Sequence, residues 1–373
     1  MDFNLSEEET MLRDSVERFA AAEYELPKRG ALIAEGRDNW QRFAELGWLG
    51  VGIPEGAGGY GGALGGMAIV AERLSAGLAI EPYVGSMVYP VQVLLAHLGA
   101  EDAARFLAPM VTGEARLAVA GTEYGTRAGL RWTETRAEEC DEGFVLNGAK
   151  MAVAGGGSAT AFLVSGRTAG GPYDPGGISL FYIPRGTPGF KVRRWRMIDG
   201  SDVADIELEN VKLPADALLG KPGAALGSLA AGLDSAIAIS NFEAVGAMET
   251  ALSATVEYLR TRKQFGAPLS DFQVLRHRCA DMLVDLEQAR SAALRGLAGA
   301  SQPNGALRAY ATSSAKAVVV RAAEFVCGQA IQLHGGMGMT EEMRVGHLFK
   351  RAMAANALYG SRDFHLGRME SML

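Results

Sequence analysis

Three stretches of this chain carry residues whose types and spacing could do chemistry. In RKQFGAPLSDFQ, Arg262 is a permanent cation with a planar fork of donors, and Gln273 offers both a donor and an acceptor. Phe265 lies between them with an aromatic face to offer. In QLHGGMGM, Gln332 precedes Gly335, Gly336 and Gly338, where backbone without side-chain bulk lets a ligand approach. A helix-ending turn is the competing reading of Gly335-Gly336, and a solvated charge that of Arg262. His334 in the same run reads as a packing or hydrogen-bonding residue. In NFEAVGAM, Glu243 follows Phe242 and precedes small residues, so burial would lift its pKa toward that of a working base. A buried structural carboxylate at a subunit contact is the alternative there. Cys140, Cys279 and Cys327 stand far apart with no CxxC spacing, which argues against a disulfide framework or a zinc site.

These residues need a scaffold, and the periodicity of the 373-residue chain divides it into three zones. From Leu5 to about Gly113 apolar residues recur at helical spacing, opened by Ser6 and Glu9 as a capping box. The glycine-rich stretch Gly56 to Gly66 reads as a loop between helices. From about Leu117 to Leu219 short β-rich runs alternate with Gly, Pro and Asp turns, and Asn147-Gly148 reads as a hairpin turn. Their spacing suggests an antiparallel barrel or sandwich rather than alternating strands and helices. From Gly223 onward long Ala- and Leu-rich helical segments return, expected at 224–262, 275–300 and 311–333, as in a close-packed bundle. The expectation is an α+β chain: an N-terminal helical domain (1–115), a central β domain (116–222) and a C-terminal helical bundle (223–373).

Composition narrows the function. Hydrophobic residues make up 48% and the formal net charge is −7, with no long basic block, so nucleic acid is not the expected partner. The acidic start MDFNLSEEE is unlike a signal peptide, and no apolar run approaches the roughly 20 residues of a membrane span. A cytoplasmic protein without a membrane contact is expected.

The order of the zones, with LGWLGVGIPEGAGGYGG, DIELENVKLPADALLG, RKQFG and QLHGGMGM, resembles the acyl-CoA dehydrogenase family over essentially the whole chain. The FEAVGAM, RKQFG and QLHGGMGM runs are most similar to the small subunits of heteromeric members such as pimeloyl-CoA dehydrogenase. The resemblance implies a central antiparallel β-barrel, a C-terminal four-helix bundle, FAD as cofactor and oxidation of an acyl-CoA to its 2-enoyl-CoA. It also implies an electron-transferring flavoprotein or similar acceptor. Arg262, Phe265, Gln273, Gln332, Gly335 and Gly336 would bind FAD held mainly by a neighbouring subunit, Thr122 would support the flavin from the β domain, and Asp234 would contact the CoA arm.

The same resemblance exposes losses. The family's Thr-Glu-Pro-Gly run is here TEYG, with Tyr124 for the proline. A Trp-Ile-Thr run that packs on the flavin ring is replaced by Ala152, Val153 and Ala154, without the aromatic area or the hydroxyl. The two positions that usually supply the glutamate base are Tyr359 and Ala236. Tyr359 suits the lining of an acyl pocket better than proton abstraction. Glu243, two helical turns after Ala236 on the same face, is the one substitute. What persists reaches toward a neighbour's cofactor, so the expected assembly pairs this chain with a partner acyl-CoA dehydrogenase subunit. A self-sufficient homotetramer with Glu243 as displaced base, a flavin monooxygenase and a non-catalytic relative are the other readings.

Overall fold

The computed structural model describes residues 5–62, 64–126 and 129–372. Six helices come first: α1 (Glu7–Glu23), α2 (Leu26–Glu35), α3 (Trp40–Glu45), α4 (Leu64–Ala76), α5 (Tyr89–Leu98) and α6 (Ala100–Val111). The capping box forms as its residue types dictate: Glu9 N–H donates to Ser6 Oγ at 3.1 Å, and Ser6 N–H donates to Glu9 Oε2 at 2.9 Å. Phe19 packs edge-on against Phe43 and Trp48, whose own rings meet at a tilt, in the core beneath. Helix α4 begins inside the glycine-rich stretch, so the expected loop is shorter than its composition suggests.

Strands β1 (Leu117–Ala120), β2 (Arg136–Cys140), β3 (Gly143–Ala154), β4 (Ala161–Arg167), β5 (Ile178–Pro184), β6 (Phe190–Arg196), β7 (Asp202–Pro214) and β8 (Leu218–Leu219) form one sheet in the order β6-β7-β3-β2-β4-β5-β8. β1 pairs with β4 off that path. Two expectations change here. The sheet is mixed rather than purely antiparallel, because β1 and β2 both run parallel to β4. The long connections into β4 make this feasible, since parallel neighbours need a crossover and not a tight turn. Asn147-Gly148 is no hairpin turn either. It lies within β3 at a register shift against β7, where Asn147 Oδ1 accepts the Asn210 N–H at 2.8 Å. A Cβ at Gly148 (φ +153°) would stand 2.5 Å from Thr135 Oγ1, so the glycine admits a close strand rather than a turn.

The remainder is helical: α7 (Leu226–Thr261), the small hairpin β9 (Lys263–Gln264) and β10 (Ala267–Pro268), α8 (Gln273–Ala300), α9 (Gly305–His334), α10 (Arg344–Ala357) and α11 (Arg362–Glu370). α9 starts earlier than its apolar pattern indicates because Asn304 Oδ1 caps the Ala306 and Leu307 N–H groups. Helices α7 to α10 form the bundle and α11 packs on α9. Among the described residues no helix is long and apolar enough to cross a membrane.

Candidate functional site

The chain's chemistry collects in two places. The first is an open groove of about 630 Å³ where the end of α7, the β9–β10 hairpin, the start of α8 and the turn after α9 converge. Arg262, Gln332, Gly335 and Gly336 line it, so two motifs far apart in sequence meet at one groove. Gly335 has φ +59°, and a Cβ there would meet nothing within 4 Å, so the turn faces open space. Phe265 and Gln273 are not part of this lining. Phe265 is 91% exposed at the hairpin tip with φ +53°, its ring edge-on to Phe272 at 6.1 Å. Gln273 opens α8, also exposed. His334 is buried and stacks on Tyr258 at 4.3 Å, its Nδ1 bonded to the Ala330 carbonyl at 2.8 Å, as befits a packing residue. Burial holds its pKa below the usual histidine value, and Nε2 has no partner. Arg278 also faces the groove, a residue outside the motifs that the sequence did not single out.

The second place is internal. Glu243, Tyr359, Arg351, Asp199 and Glu81 surround a cavity of only about 30 Å³. Ala236 is completely buried on α7. Glu243 has no hydrogen bond among the described residues, and its pKa is pushed up to about 7, chiefly by burial and restrained by the Arg351 and Lys316 charges. Lys316 is buried too, its ammonium donating to Ser240 Oγ at 3.1 Å and the Ala355 carbonyl at 2.9 Å, and desolvation lowers its pKa to about 8. Burial pushes the Tyr359 phenol above its ordinary value, which makes it a worse base still. The Tyr359 ring packs edge-on against Tyr89 at 6.1 Å.

A three-way clasp braces one side of this cavity. Asp199, in the β6–β7 turn, pairs with Arg351 of α10 at 2.8 Å, and its carbonyl accepts from Arg29 of α2. Arg29 Nε also bonds the Leu78 carbonyl at 2.9 Å. On the facing wall the π-helical turn Val84–Val88, which leads into α5, presses on the end of β3: a Cβ at Gly85 would stand 2.9 Å from the Ala154 carbonyl carbon and oxygen.

Other site expectations resolve by contact. Asp234 is 1% exposed, and its carboxylate is engaged by Arg308 at 3.1 Å, Arg368 at 2.8 Å and the Thr312 hydroxyl at 3.3 Å. It therefore ties α7 to α9 and α11 from inside. Thr122 accepts the Met151 N–H through its carbonyl at 2.9 Å. Its neighbour Glu123 accepts from the buried Lys150 ammonium at 2.6 Å, the Thr135 hydroxyl at 2.7 Å and two backbone N–H groups. That network was not visible in sequence, where Lys150 is one lysine in a β-rich run. Residues 127 and 128 of the same loop lie outside the described residues. Among the described residues no cluster of His, Cys, Asp and Glu could hold a metal ion.

The two places differ in how their linings suit FAD. The groove carries two guanidinium groups and no carboxylate in its lining, which suits an anionic dinucleotide. Ligand pockets run from about 300 Å³ upward, and the cavity beside Ala154 measures about 30 Å³.

Comparison with known proteins gives matches along the chain. Residues 6–114 match the family "Acyl-CoA dehydrogenase, N-terminal domain", 118–211 the corresponding middle domain and 235–372 the C-terminal domain. The chain is 31% identical over 366 residues to a Bacillus subtilis protein named probable acyl-CoA dehydrogenase YngJ, covering 94% of each. It superposes on butyryl-CoA dehydrogenase from Megasphaera elsdenii with TM-score 0.88 and 26% identity, covering 100% of this chain and 99% of that one. A variant of the Tcur3481-Tcur3483 steroid ACAD gives TM-score 0.86 and 26% identity, with 98% and 97% covered.

Proposed function

The chain belongs to the acyl-CoA dehydrogenase family, FAD-dependent oxidoreductases acting on acyl-CoA, and on that premise we propose that it works as one subunit of a heteromeric enzyme. In this reading it completes a flavin site whose ring cavity and catalytic glutamate belong to a partner subunit. The assembly oxidises an acyl-CoA to its 2-enoyl-CoA in the cytoplasm and passes electrons to an electron-transferring flavoprotein or similar acceptor. The observation that carries the reading is the contrast between the open, cation-lined groove of about 630 Å³ and the narrow cavity of about 30 Å³ beside Ala154.

Each residue has a physical task in this proposal. Arg262 holds phosphate oxygens through its planar fork. The Gln332 amide and the bare backbone of Gly335 and Gly336 border the ligand without steric bulk. Phe265 and Gln273, exposed outside the groove, reach the partner's side of the cofactor. Thr122 shapes the loop facing the partner, and Asp234 acts from within by fixing α9 and α11. The exposed apolar side chains of Val274, Met337 and Met339 around the groove support a subunit contact there.

A second reading has one observation in its favour. Glu243, with a pKa near 7, is tuned for proton abstraction in a self-sufficient homotetramer, provided the cavity around it and Tyr359 opens to admit a thioester. The deciding experiment is the absorbance spectrum of the chain purified alone and with candidate partners, with FAD stoichiometry. A colourless chain that gains flavin only with a partner supports the shared site. A yellow chain with about one FAD of its own sinks it.

A further inference from the structure

We propose that Arg278 is a second phosphate anchor in the groove, which with Arg262 holds the diphosphate of an adenosine diphosphate moiety. The inference rests on the shared-site reading and deepens it by assigning a residue outside both motifs.

Arg278 sits on the first turns of α8, one turn beyond Val274 on the same face, and both line the groove. Arg262 lines it from the opposite side, at the end of α7. Neither guanidinium pairs with a carboxylate among the described residues, and no acidic side chain lines the groove. Arg290 of α8 and Arg321 of α9, by contrast, meet acids: Arg290 meets Glu72 at 3.0 Å, and Arg321 meets Asp285 at 2.5 Å. The one hydrogen bond of Arg278 among the described residues is a long one, 3.5 Å to Gln329 Oε1, which leaves most of its donors free.

Two unneutralised like charges facing one groove repel unless an anion lies between them. Two planar forks suit two adjacent phosphates better than one, because each fork binds oxygens bidentately. The rest of the lining completes the ligand class. The Tyr258–His334 stack, Leu275 and Met337 provide flat or apolar surface for a purine, and Gln332 and Gln264 provide edge hydrogen bonds. A nucleoside diphosphate meets all three requirements.

The test is calorimetric titration of the full-length chain with ADP and with AMP, for wild type and for Arg278→Gln, Arg278→Lys and Arg262→Gln. Arg278→Gln is expected to weaken ADP binding about tenfold, the loss of one charge-assisted contact. Arg278→Lys should recover part of that loss, and AMP, with one phosphate, should be affected less. Thermal melts should match wild type, because the side chain is exposed. Unchanged ADP affinity in Arg278→Gln with weakened affinity in Arg262→Gln overturns the inference and leaves the shared-site reading standing. Wild-type chain that binds no ADP at millimolar concentration, alone or with its partner, overturns the inference, while the shared-site reading is decided separately by flavin uptake with the partner.

Discussion

Replacing Glu243 by glutamine tests whether the closed cavity costs this chain stability. Its carboxyl pKa rises from 4.5 to about 7 on folding, which at roughly 1.4 kcal/mol per unit corresponds to about 3 kcal/mol. The folded chain binds this proton more tightly than the unfolded chain, so the group's contribution falls as pH rises from 4.5 to about 7. Above that the full cost of a desolvated carboxylate is present. Glutamine keeps the shape and cannot ionise. The difference in unfolding free energy, variant minus wild type, should therefore climb by roughly 2 to 3 kcal/mol between pH 5 and pH 8. Lys316, with a pKa near 8, is charged over most of that window and loses an attractive neighbour, which trims the gain. The assay is urea unfolding of both proteins at four pH values across the window. Parallel stability profiles, or a variant that loses ground as pH rises, would refute the reasoning. In a reconstituted heteromer the variant should also retain turnover; a loss of a hundredfold or more with intact folding would make Glu243 the base.

Two further substitutions separate scaffold from surface. Asp234→Ala should destabilise the chain by roughly 3 kcal/mol in chemical denaturation, because it strands Arg308 and Arg368 without their shared carboxylate; a neutral result would return Asp234 to the list of ligand contacts. Phe265→Ala should leave stability within about 0.5 kcal/mol, since the ring is exposed, yet reduce FAD retention or partner association, and a variant indistinguishable in both would remove Phe265 from the shared site.

Much of the architecture could be read from local patterns. The change from helical to strand periodicity near Leu117 and back near Gly223 reflects side-chain spacing that each segment carries by itself. The capping box at Ser6 is equally local. The motif residues around Arg262 and Gln332 could be recognised because their chemistry is compact, and the absence of glutamate at positions 236 and 359 is a plain property of the sequence.

Other features depended on residues far apart in the chain. Asn147-Gly148 has turn composition, but strands on both sides of β3 absorb it into the sheet. Asp234 looks like a ligand contact until α9 and α11 bring Arg308 and Arg368 onto it. The parallel pairing of β1 and β2 with β4 follows from the chain's path and from no local signal. The narrow cavity is the clearest case. Arg29, Asp199 and Arg351 come from three separate parts of the chain, and each alone is an ordinary charged residue. Composition determined which groups this protein has available. Only tertiary packing decided which of them face a ligand, because burial and charge pairing are properties of neighbours brought together in space.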